Sequence, residues 1–311
     1  MAIGASFTGA RSMTATAGGG FCLMTEGFGL AGMTETPVVI VVGQRGGPAT
    51  GLPTWTEQGD IQFVLHAHQS EFPRLVLAPG DVEEVFHQTM LAFNLAEKYQ
   101  TPVVVLVDKH LCESHESVSP FDYRAYRVNR GKVITKKLKK YEHYALSKDG
   151  ISPRAFAGSG TYVVANSDEH TTAGYSNEEA EVRREQMQKR MQKLSTCAKE
   201  DMPKPKVYGP ERADVSIVSW GSNKGAILEA MKNFPNVNFL HLTWMNPFPV
   251  AFVASFLKKA KTLLNIEGNF SGQVGALITE KTGFKIEHNF LKYDGRPFFP
   301  EEIAAEIKKL L

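Results

Sequence analysis

The segment GQRGGPATGLPT, Gly43 to Thr54, sets a single cation, Arg45, among glycines and prolines directly after the apolar run Val38–Val42. Glycine lets backbone N–H groups approach a ligand closely and tolerates positive φ. A guanidinium fork can hold a carboxylate through two parallel charge-assisted hydrogen bonds. Thr50, Thr54 and Thr56 add hydroxyls nearby. A second glycine-rich turn, ATAGGGF, carries Thr16, Gly18, Gly19 and Gly20. The bland alternative for Arg45 is a structural ion pair with Glu35, Glu57 or Asp60, and residue types alone leave both open.

Other constellations are weaker. His66 and His68 stand at i, i+2, which does not bring them together on a helix face. Asp108, His110 and His115 follow a strand end without a partner motif, and Asp168, Glu169 and His170 cluster in NSDEH. Gly27-Phe28-Gly29-Leu30-Ala31-Gly32 spells the dinucleotide fingerprint. The fingerprint needs a preceding strand and a later acid, and neither is here. These glycines are expected to let a helix approach its sheet closely instead. The 3 cysteines, Cys22, Cys112 and Cys197, form no paired motif, so no iron–sulfur or zinc site is expected on this chain.

The elements that must position these residues alternate between strand and helix. The stretch RSMTATA (Arg11–Ala17), Pro37–Val42, the stretch RLVLAPG and the stretch VVVLVD are strand candidates, and the last three are apolar on both faces, as in a covered parallel sheet. Asp81 with Glu84 predicts a helix start in the manner of a capping box. Residues 119–206 change character: RGKVITKKLKK is a basic run expected to be solvated, and NEEAEVRREQMQKRMQKL is a charged helix with acids first. From 207 to 311 strands and helices alternate again. The fold expected is α/β, with two open doubly wound parallel-sheet domains at 1–118 and 207–311 joined by a linker. A length of 311 residues, 42% hydrophobic and 22% charged residues and a formal net charge of +2 point to neither nucleic acid nor membrane as a partner. Cytoplasmic residence is the default expectation.

The stretch ARSMTATAGGGFCLMTEGFGLAGMTETPVVIVVGQRGGPATGLPTWTEQGD resembles the α subunit of 2-oxoacid:ferredoxin oxidoreductases, in the 2-oxoglutarate branch. The likeness continues through PRLVLAPGDVEEVF, GISPRA, ANSDEH, SWGSNKGAILEA, NPFP and IEGNFSGQ, and so covers nearly the whole chain. It implies a thiamine diphosphate pyrimidine-binding-like domain followed by a transketolase C-terminal-like one. It also implies oxidative decarboxylation of a 2-oxoacid to an acyl-coenzyme A, with electrons passing to ferredoxin. Arg45 and Thr54 match the positions that grip the substrate carboxylate. Thr16, Gly18, Gly19 and Gly20 lie where the family lines the cofactor pyrimidine. The family's activating glutamate falls upstream of Met1, so the chain is expected to begin inside a domain and to carry no catalytic residue of its own. The segment YDGRP lacks the first glycine and the asparagine of a diphosphate motif. Mg2+ and the iron–sulfur cluster are therefore expected on a β subunit.

Three functional classes follow. The first is an enzyme subunit that builds its site with a β chain. The second is a non-catalytic fragment or interaction subunit that docks on that chain. The third, a stand-alone nucleotide-binding dehydrogenase, requires the glycine fingerprint already set aside.

Overall fold

A computed structural model describes residues 1–311, except the side chain of Ala125. Its strands are β1 Met13–Ala17, β2 Val38–Gln44, β3 Leu75–Leu77, β4 Pro102–Asp108, β5 Lys206–Tyr208, β6 Val215–Trp220, β7 Val237–Leu242, β8 Trp244–Asn246, β9 Thr262–Glu267 and β10 His288–Leu291. They form two five-stranded sheets, in the orders β1-β2-β4-β3-β8 and β10-β9-β6-β7-β5. Every pairing is parallel except at one edge of each sheet, where β8 and β5 run antiparallel. The doubly wound α/β architecture expected from the sequence is the one observed.

Local chemistry explains most elements. Asp81 caps the helix Val82–Tyr99 by accepting from the Glu84 N–H (2.8 Å), while the Glu84 carboxylate accepts from the Gly80 N–H (2.8 Å). β2 and β4 are buried along nearly their whole length because helices or the second sheet's layer cover both faces. Their even-numbered side chains Val42 and Leu106 join a core with Ile61 and Val64 that runs without a break into Trp220, Leu240, Val253 and Leu277. The odd-numbered Val103 and Val105 pack instead against Leu95 and Tyr99 of the helix Val82–Tyr99. The two sheets thus share a helical layer between them. A third core, with Ile217, Phe239 and Ile303, covers the far face of the second sheet.

Two elements depart from expectation. VNFLHLTW reads as one strand, but the chain splits it: β8 leaves the second sheet and pairs with β3 of the first. The Ala78 N–H donates to the Thr243 carbonyl (2.8 Å) and the Asn246 amide to the Arg74 carbonyl (2.6 Å), which satisfies backbone groups that β3 would otherwise leave at an edge. The charged helix, Ala180–Glu200, buries a charged face. Gln186, Lys189, Arg190, Lys193 and Cys197 follow helical spacing inward. Lys189 and Lys193 reach the two carboxylate oxygens of Glu35 at 2.7 and 2.5 Å, and Arg190 holds Glu169 at 2.6 Å. The basic run 131–140 is mostly exposed, as expected. Among the described residues no helix is long and apolar enough to cross a membrane.

Gly27 to Gly32 lie inside the helix Thr25–Met33, and the element directly before it is the helix Gly18–Cys22 rather than a strand. A Cβ on Gly32 would lie 2.6 Å from Cγ of Phe72. These glycines serve close packing, and the partner is the 68–72 segment rather than the sheet.

Candidate active site

The carboxyl ends of β1, β2 and β4 meet at one corner of the first sheet. Ala17 is the register partner of Gly43, and Gln44 that of Asp108. The Gly18–Gly20 turn, the Arg45 loop and the segment after Asp108 therefore emerge side by side, where open α/β sheets bind ligands. A Cβ on Gly43 would lie 3.8 Å from the Thr16 carbonyl and 3.5 Å from the Cys112 sulfur. The tips of the two glycine turns face each other, since a Cβ on Gly19 would meet the Ala49 carbonyl at 4.0 Å.

Arg45 is half-buried, and none of its three expected ion-pair partners holds it. Glu35 is fully committed to Lys189 and Lys193, whose charges hold its carboxyl down at about 2 in spite of burial. Glu57 accepts from the Gly47 N–H, and burial together with neighbouring Asp60 pushes its carboxyl above the ordinary range. Burial likewise raises Asp60. Among the described residues, Arg45 forms no ion pair and no side-chain hydrogen bond. A half-buried guanidinium without a partner, held in a glycine loop, is ready for an external carboxylate. Thr54 is exposed on the same loop with its hydroxyl unengaged. Thr56 is used structurally, accepting from the His110 N–H at 3.2 Å and lying 3.5 Å from Asp108 Oδ1.

The loop keeps its shape through contacts that start far away in sequence. Its neck is closed by Leu52 N–H donating to Gly46 O (2.8 Å) and Gly46 N–H to Trp55 O (3.3 Å). Arg296 of YDGRP lays its guanidinium over the Trp55 ring, 3.3 Å from the centroid, and gains a cation–π contact. Gly295 must be glycine there, because φ is +81° and a Cβ would lie 2.9 Å from Leu52 and 3.0 Å from Trp55.

Gln58 ties the loop to both sheets. Its Nε2 donates to Asp108 Oδ2 (3.1 Å) and Trp220 O (3.2 Å), while its Oε1 accepts from Asn223 Nδ2 and Gly268 N–H, both at 2.9 Å. Asp108 in turn accepts from the Ser222 and Leu111 N–H groups. All of these groups lie at the carboxyl ends of β4, β6 and β9. The crevice between the sheets is therefore closed by a satisfied buried network, which rigidifies it.

The pyrimidine-side corner can be tested for fit. Gly18 sits against Asp60: a Cβ there would be 2.6 Å from the carboxylate oxygen Oδ2. At Gly19 the nearest atom a Cβ would meet is the Ala49 carbonyl oxygen at 4.0 Å, and Gly18–Cys22 is a short helix whose first N–H groups have no intrahelical partner. Gln44 is wholly buried, accepts from the Asp60 N–H through Oε1 (3.0 Å), and leaves its Nε2 donor without a partner. A side-chain-free cradle beside an unpaired donor and a protonatable carboxyl suits the polar edge of an aminopyrimidine ring. The residues fit the pyrimidine half of thiamine diphosphate.

Residues 1–189 match the family described as pyruvate flavodoxin/ferredoxin oxidoreductase, thiamine diP-bdg. The chain belongs to this family. Its curated relatives include the 2-oxoacid:ferredoxin oxidoreductase subunit alpha of Saccharolobus solfataricus, 41% identical over 100% of this chain and 50% of that protein. The 2-oxoglutarate synthase subunit KorA of Methanothermobacter thermautotrophicus is 30% identical over 99% of this chain and 82% of its own length. Among solved structures, one described as 2-oxoglutarate:ferredoxin oxidoreductase from Magnetococcus marinus with 2-oxoglutarate, coenzyme A and succinyl-CoA bound superposes with a TM-score of 0.94. That match has 35% identity and covers 99% of this chain and 55% of the other. The chain thus spans about half the length of several of its relatives and most of the KorA subunit.

Within this family member, the structure brings Thr16, Gly18, Gly19, Gly20, Arg45 and Thr54 to one corner. His66 and His68 lie apart from it, His66 bonding back to the Gln62 carbonyl (2.9 Å). Glu169 and His170 belong to the anchor of the helix Ala180–Glu200, with the His170 ring tilted by 32° against Tyr144 at 3.8 Å. Sequence reasoning missed Gln44, Gln58 and Arg296 as parts of the site, and took Asp60 only as an ion-pair partner. The run TEQGD, directly after the glycine loop, was the one local signal for two of them.

Proposed function

We propose that this chain is the α subunit of a 2-oxoacid:ferredoxin oxidoreductase acting on 2-oxoglutarate, and that it contributes the substrate-carboxylate and pyrimidine-side contacts. The observation that carries this reading is Arg45, a guanidinium with no protein partner at the carboxyl end of a central strand, next to a glycine cradle. Arg45 holds the oxoacid's C1 carboxylate in a bidentate grip, and the Thr54 hydroxyl donates to the same group. The Gly18–Gly20 turn lets a ring approach the backbone, and the Asp60 carboxyl stands against Gly18, with the Asp60 N–H donating to Gln44. Asp60, raised by burial, retains a proton more readily than a surface aspartate and can donate it at Oδ2. The Gln58 network holds the two sheets at fixed separation, so the grip and the cradle keep their relative positions.

Thiamine diphosphate, when bound, supplies the nucleophilic carbon through which a 2-oxoacid loses CO2. A β subunit contributes Mg2+, the diphosphate contacts and the iron–sulfur cluster, ferredoxin accepts the electrons and coenzyme A takes the acyl group. The assembly works in the cytoplasm, in keeping with three cysteines that are all free. The test is to express the full coding sequence with its β gene and to follow ferredoxin reduction with 2-oxoglutarate, pyruvate and 2-oxobutyrate. Coenzyme A-dependent reduction with 2-oxoglutarate is expected. An assembled complex that reduces ferredoxin with none of the three would overturn the reading.

A further inference from the structure

A second cavity lies at the opposite end of the second sheet. Ser216 near the start of β6 and Asn238 near the start of β7 are register partners, so their side chains stand together on one face. That face meets the helix Val250–Lys259, whose Phe252, Ser255, Phe256 and Lys259 follow i, i+3, i+4, i+7 spacing toward it. Between them is a cavity of about 330 Å³. This size lies within the usual range for small-molecule sites.

The floor of the cavity is polar and unsatisfied. Asn238 is 3% exposed, its Nδ2 is spent on the Pro210 carbonyl (2.9 Å), and its Oδ1 has no partner. The Ser216 hydroxyl, on a residue 2% exposed, makes no hydrogen bond among the described residues. Buried polar atoms are ordinarily paired, and an unpaired one is costly. The walls, by contrast, are largely apolar, with Phe252 and Phe256 beside Val207, Ala213 and Ala260. At the rim, Lys259 and Glu211 form an exposed ion pair at 3.1 Å.

We propose that this cavity binds a nucleobase-type heterocycle. A ring N–H or amino group donates to Asn238 Oδ1, and the adjacent ring acceptor takes the Ser216 O–H. Because Ser216 and Asn238 are register partners on neighbouring strands, their polar groups stand side by side on the cavity floor and can both face one edge of a ring. Phe252 and Phe256 cover the ring with apolar surface, and Lys259 stands where a sugar or phosphate would leave the pocket. The site is separate from the Arg45 corner, because Ser216 and Asn238 lie at the amino ends of their strands and the corner lies at the carboxyl ends.

The test uses adenosine and N6,N6-dimethyladenosine, which lacks the amino donors, titrated by calorimetry into the assembled native protein. Saturating coenzyme A is present throughout, so that adenine binding at a coenzyme site is suppressed. Adenosine is expected to bind, and the dimethyl analogue to bind about tenfold more weakly, the loss that accompanies one buried hydrogen bond. Asn238→Leu should weaken adenosine by a similar factor, and Ser255→Trp, an exposed helix position at the rim, should abolish binding. If Asn238→Leu fails to fold, the comparison of the two nucleosides and the Ser255→Trp variant still decide. Equal affinity for the two nucleosides, binding indifferent to Ser255→Trp, or no heat at millimolar adenosine would each overturn the proposal.

Discussion

Replacing Arg45 by alanine separates the two roles that its residue type left open. A structural arginine would lose an ion pair, and the protein would lose stability. In this fold no acid holds Arg45, so folding stability should change by no more than about 0.5 kcal/mol, as at other sites without buried partners. The catalytic cost should instead be large. Two charge-assisted hydrogen bonds to a carboxylate are worth about 1.5–3 kcal/mol each, and their joint loss, allowing for water taking over part of the role, comes to about 3–4 kcal/mol. At about 1.4 kcal/mol per tenfold, kcat/KM for 2-oxoglutarate should fall by about 10²–10³. Most of the fall should appear in KM, because the carboxylate is bound in ground state and transition state alike. Arg45→Lys should recover only part of it, since an ammonium cannot reproduce the fork. Steady-state ferredoxin reduction by the assembled enzyme, beside urea unfolding of the same variants, provides both readouts. Unchanged KM with a clear loss of stability would refute the reasoning and return Arg45 to a structural role.

Three other perturbations are informative. Glu35→Gln should destabilise the protein by about 3–5 kcal/mol in urea, because Lys189 and Lys193 would be left buried without their shared anion. The native stabilisation from Glu35 should be present above its ordinary, unfolded value of 4.5 and lost as pH falls through about 2, which acid unfolding of wild type and variant can follow. Asp60 has the opposite sign: its folded pKa is raised, so it opposes folding once the pH has risen through that value. Asp60→Asn should therefore raise the urea midpoint at pH 7 and have less effect near pH 4. Gly18→Ala would set a Cβ 2.6 Å from the Asp60 carboxylate, costing about 1–3 kcal/mol and weakening thiamine diphosphate binding measured by titration of the assembled protein.

Much of the scaffold was legible because its causes are local. The β-branched run at Val38–Val42 and the Asp81 cap announce themselves by period and by end chemistry, and the structure places a strand and a helix there. The glycine setting of Arg45 was legible for the same reason. The split after Leu242 was not, because nothing in VNFLHLTW distinguishes residues that stay in one sheet from those that cross to the next. Nor was the buried charge on the helix Ala180–Glu200, whose low apolar content reads as a solvated surface until Glu35 is brought to meet it.

What the sequence determined by itself was the order of elements, the loop that presents Arg45, the cradle at Gly18–Gly20 and the family to which they belong. Only the tertiary structure decided that Arg45 stands free. That outcome depends on Glu35 being claimed by two lysines more than 150 residues away in sequence and on Glu57 and Asp60 turning to other neighbours. It likewise decided that Arg296 braces Trp55 and that Gln58 joins the two sheets. The physical reason is one of range. Propensity, periodicity and capping act over a few residues, whereas the choice of partner for a buried polar group is settled by which distant groups the packed core brings within 3 Å of it.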